Sequence, residues 1–78
     1  MTREEAQGWL AEALLEKIRS DPYPSATQMA IVEENLPQDM VPQYLDILIQ
    51  KAEQDTVPSI PLLRRISRVA ATLPRGGR

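Results

Sequence analysis

The stretch Asp21-Pro22-Tyr23-Pro24-Ser25 decides how this chain folds. Two prolines in three residues cannot continue a helix, because each lacks a backbone N–H and clashes with the preceding turn. Ser25 is placed to cap whatever follows: its hydroxyl can accept an orphan N–H of the first helical turn. Gln28, three residues on, completes a capping box. The stretch therefore reads as the end of one helix and the start of another, with Asp21 turning the chain through a local hydrogen bond.

Upstream, Thr2 and Glu5 form the same kind of box. Ala6, Trp9, Leu10, Ala13, Leu14 and Ile18 then recur near the rhythm of one helix face. The spacing predicts a helix over 3–20 with Trp9 in the core. Gly8 weakens it by about 1 kcal/mol relative to Ala. Downstream, Met29, Val32 and Leu36 mark the buried stripe of a second helix over 26–36, closed by Pro37. A third helix is expected from about Asp39 to Gln54, with Pro42 in its first turn. Its inward residues are Val41, Tyr44, Leu45, Leu48 and Ala52, with Ile49 beside them.

Asp55-Thr56-Val57-Pro58-Ser59 then repeats the turn chemistry. A fourth helix is expected over 60–73, with the cleanest stripe of the four: Leu62, Leu63, Ile66, Val69, Ala70 and Leu73. At an offset of 34 residues Leu14 meets Leu48, Lys17 meets Lys51, Asp21 meets Asp55, and Pro24-Ser25 meets Pro58-Ser59. A fixed period of this size suggests repeated supersecondary units. The expected fold is all-α: a small four-helix bundle of two helical hairpins related by pseudo-symmetry. One helical domain should cover residues 1–73, with a first unit at 3–36 and a second at 39–73. Residues 74–78 read as a flexible basic tail.

Composition narrows the function. Cys and His are both absent from the 78 residues. That removes disulfides, the preferred zinc ligands and the usual general base at neutral pH. Glu12 and Glu16 stand at i, i+4, but two carboxylates without a third ligand make a poor cation site. The serines have no base to activate them. The expectation is a non-enzymatic protein without metal or cofactor. No apolar run approaches the ~20 residues of a membrane span, and the first residues lack the apolar core of a signal peptide. Together with the missing cysteines, this gives a cytoplasmic expectation.

Charge supplies the functional lead. Residues 1–55 hold eleven acids against four bases, a net of −7. Residues 56–78 hold five arginines and no acid. Arg64, Arg65 and Arg68 lie on the fourth helix, and Arg75 and Arg78 continue the charge into the tail. Arginine suits forked pairing with carboxylate or phosphate. One reading is a solvated polar face. A second is contact with an acidic protein surface, including that of another copy of the chain. A third is a helix-turn-helix DNA-binding regulator with the fourth helix in the groove. The overall charge of −2 and the long connection through Gln54–Ser59 speak against the third. The sequence therefore points to an interaction or assembly module with complementary acidic and basic surfaces.

Overall fold

A computed structural model describes residues 1–54 and 59–74. These form four α-helices and one short 3-10 turn, and no strand occurs among them. The helices are α1 (Arg3–Ser20), α2 (Ala26–Asn35), α3 (Val41–Gln54) and α4 (Ile60–Ala70), with the 3-10 turn at Gln38–Met40. The chain divides into two compact units, Met1–Pro37 and Gln38–Arg78. In the first, α1 packs on α2; in the second, α3 packs on α4. Each unit is thus a helical hairpin.

The caps explain the boundaries. Thr2 Oγ1 accepts from the Glu5 N–H at 3.1 Å, and Glu5 Oε1 accepts from the Thr2 N–H at 2.7 Å. Ser25 Oγ accepts from the Gln28 N–H at 3.0 Å, and Gln28 Oε1 returns the bond to the Ser25 N–H at 2.8 Å. Ser59 Oγ accepts from the Leu62 N–H at 3.2 Å. Leu62 has no acceptor to reciprocate, so α4 starts on a single cap bond. Asp21 Oδ1 accepts from the Tyr23 N–H at 3.0 Å, which sets the first hairpin turn. Asp55 and Pro58 of the corresponding second turn lie outside the described residues.

Three boundaries differ from expectation for local reasons. α2 ends at Asn35, one residue early, because Leu36 precedes Pro37 and takes extended angles. Pro42 has no N–H to give the Gln38 carbonyl, and the chain enters α3 through the tighter 3-10 turn. α4 stops at Ala70, three residues early. Its end tightens to i→i+3 bonds, Thr72 N–H to Val69 O at 3.0 Å and Leu73 N–H to Ala70 O at 3.1 Å. Pro74 then keeps Leu73 from helical angles.

Burial is concentrated in α3. Val41, Tyr44, Leu45, Ile47, Leu48 and Ala52 are buried there, with Tyr44 and Leu48 fully so. Ala11, Leu15 and Ile18 are buried on α1, Met29 and Val32 on α2, and Val69 alone on α4. The sequence placed Trp9 in the core. The structure corrects this: Trp9 is 67% exposed, and Ala13 is exposed too. The buried stripe of α1 runs through Ala11, Leu15 and Ile18, displaced around the helix from the expected one. Ile47 is a core residue that the stripe reading missed, while Ile49 is exposed.

Two stability measurements check this account. An added Cβ at Gly8 meets nothing within 4 Å. Gly8→Ala is therefore expected to stabilise the fold by about 0.5–1 kcal/mol in urea denaturation. Ser25→Ala breaks a reciprocal box and Ser59→Ala a single bond. Each should cost roughly 1 kcal/mol, with Ser25→Ala the larger loss in the same assay.

Candidate protein-docking surface

The basic face belongs to α4, and the cap at Ser59 fixes where it begins. Pro61 sits in the first turn, where its missing N–H costs nothing. At the other end Gln38 Nε2 donates to the Thr72 carbonyl at 3.1 Å, tying the residues after α4 to the turn before α3. Between these anchors Arg64 and Arg68 are exposed and Arg65 is half-buried. Arg65 stands three residues after Leu62 and four before Val69, so its aliphatic stem runs beside the inward stripe. Arg75 and Arg78 lie outside the described residues.

The apolar residues of α4 are as informative as the arginines. Val69 is buried, whereas Leu62, Ile66 and Leu73 are half-buried. Leu63 is 42% exposed and Ile60 59% exposed, and Ala70 is exposed as well. Leu63 and Ala70 were expected inside. They lie about 100–120° around the helix from Val69, on a second apolar strip that faces solvent. α4 is therefore a helix with an inner stripe on α3, an outer apolar strip and arginines beside that strip.

The first hairpin carries a different surface. A groove of about 320 Å³, open on one side, runs between α1 and α2. Ala13, Leu14 and Ile18 line it from α1, and Ile31 and Val32 from α2, with Lys17 and Gln28 at its edge. Ile31 is 42% exposed. Trp9 stands one helical turn before Ala13 on the same ridge. The hairpin as a whole is acidic, with seven acids against three bases in residues 1–37, while Lys17 is the one charged residue in the groove lining. Glu12, Glu16 and Glu34 are exposed. Glu16 Oε1 accepts from Arg19 Nη1 at 2.9 Å, a pair so exposed that it adds little stability.

The sequence stripes missed this groove. Ile31 sits off the Met29–Val32–Leu36 stripe, and an isoleucine outside the core stripe is the one signal that pointed to it. Among the described residues no group of three or more acidic side chains is arranged to hold a metal ion. Nor is any helix among them long and apolar enough to cross a membrane. Comparison with protein-family models, with curated proteins and with solved structures finds no match.

Exposure makes a direct prediction about Trp9. Trp9→Ala should change stability by no more than about 0.5 kcal/mol, as exposed substitutions do. Leu48→Ala should cost about 2–5 kcal/mol. Parallel thermal melts of the two variants check both figures.

Proposed function

We propose that this chain is a non-enzymatic assembly module that binds protein through the basic helix α4 and the acidic surface of its first hairpin. The observation that carries this reading is the state of α4. Val69 is its one buried residue, while Ile60 and Leu63 face solvent beside Arg64. Arginine is enriched at protein interfaces, and exposed apolar side chains grouped beside it favour a contact surface over a solvated face. The acidic residues of the first hairpin offer a complementary potential within the same chain.

A pseudo-symmetric duplication fits this picture. Shifted by 34 residues, Ser20 falls on Gln54, where α3 ends, and Ala26 falls on Ile60, where α4 begins. The capping serines coincide as well. Burial does not follow the same rule: Leu15 and Met29 are buried, and their counterparts Ile49 and Leu63 are exposed. On this reading one unit has been duplicated and its second copy adapted for contact.

Light scattering across protein concentration and salt tests the proposal. Self-association is expected, weakening at high salt as exposed charge pairs are screened. The double variant Arg64→Glu, Arg68→Glu should weaken it roughly tenfold or more, about 1.4 kcal/mol. A strict monomer at every concentration, indifferent to salt, would overturn self-association. A gel shift that falls steeply with salt and needs Arg64 and Arg68 would instead favour the DNA-binding reading.

A further inference from the structure

We propose that the groove between α1 and α2 receives α4 of a second copy of this chain, with Ile60 and Leu63 seated in the groove and Arg64 set against Glu34 beside it. This deepens the assembly reading and rests on it.

The groove argues for a helix as its occupant. Its lining is mostly aliphatic, from Ala13, Leu14 and Ile18 on one side to Ile31 and Val32 on the other. It is partly open to solvent, and Lys17 and Gln28 are the polar residues of its lining. A small molecule is normally held by enclosure and several convergent polar groups, and these are missing from the lining. An amphipathic helix laid into a groove needs only apolar anchors at helical spacing. Ile60 and Leu63 stand at i, i+3 and are the exposed large apolar side chains of α4.

Charge selects the second copy. Residues 1–37 have a net charge of −4 from seven acids and three bases. The described residues of α4 carry Arg64, Arg65 and Arg68 and no acid. Glu34 lies three residues after Ile31, so it flanks the groove on the α2 side. Arg64 lies next to Leu63 and one turn after Ile60, so an α4 helix whose apolar strip enters the groove carries Arg64 to its rim. One chain therefore carries both halves of the contact, the groove in its first unit and the apolar strip in its second. A contact between unlike surfaces closes into a reciprocal dimer or continues as a chain of copies, and either closure fits.

Trp9 supplies the readout. It is the sole tryptophan of the chain, 67% exposed, on the ridge that leads into Ala13. An arriving helix covers that ridge and removes the indole from water. As the full chain is concentrated, Trp9 emission should shift to shorter wavelength and its quenching by acrylamide should fall. Ile31→Asp, Glu34→Arg and Arg64→Glu should each suppress the shift. Mixing the Glu34→Arg and Arg64→Glu proteins should restore it, because each supplies the reversed partner of the other. Circular dichroism checks the fold of each variant. Should Ile31→Asp lose its helices, the exposed Glu34→Arg and the mixing experiment decide alone. The groove is overturned if Arg64→Glu abolishes association while Ile31→Asp and Glu34→Arg associate like the unmodified chain. In that case α4 remains an assembly surface and the broader reading stands. If the unmodified chain stays monomeric throughout, the groove contact and self-association both fall.

Discussion

A helix pair hides the stripes that face each other, and apolar residues outside those stripes are left to water. This chain is governed by that limit. It has 78 residues and no cysteine to staple them, so its stability must come from helix packing. The packing is uneven. α3 buries six residues, with Tyr44 and Leu48 fully removed from solvent, whereas α4 buries Val69 alone. Part of what remains outside is grouped, while Met1, Tyr23 and Ile49 stand exposed elsewhere. Ile60 and Leu63 form one strip on α4, and Ile31 and Trp9 mark the groove region of the first hairpin. The proposed association buries apolar surface that each hairpin leaves exposed.

The local rules were legible in the sequence because they act over three or four residues. Thr2 with Glu5, Ser25 with Gln28, and Ser59 before Pro61 each fix a helix start through a bond between near neighbours. The prolines at 22, 24 and 37 end helices by covalent geometry alone. No knowledge of the tertiary fold is needed for any of these. The division into two helical hairpins follows directly from them.

The burial pattern was legible only where one stripe dominated. α3 has such a stripe, and its five expected inward residues are all buried. α1 does not. Its apolar residues spread around much of the helix, so Ala6–Trp9–Ala13 and Ala11–Leu15–Ile18 are both plausible faces on spacing alone. Packing against α2 selects the second, and Trp9 is left outside. α4 teaches the opposite lesson. Its stripe is the cleanest by spacing, yet amphipathicity states which face is apolar and not how much of that face is covered. Ile60 and Leu63 remain exposed because the helix carries more apolar arc than α3 takes up. The arginine face was visible from composition; the groove was not, because it is built by two helices whose facing edges the sequence does not align.

The central claim is that α4 and the first hairpin meet between copies. Hydrogen–deuterium exchange of the unmodified chain, compared in dilute and concentrated solution, tests it most directly. The account predicts that concentration slows exchange in two separate places, along α4 and along the α1–α2 groove, while α3 stays unchanged. Exchange that is identical at both concentrations across α4 and the first hairpin would contradict it.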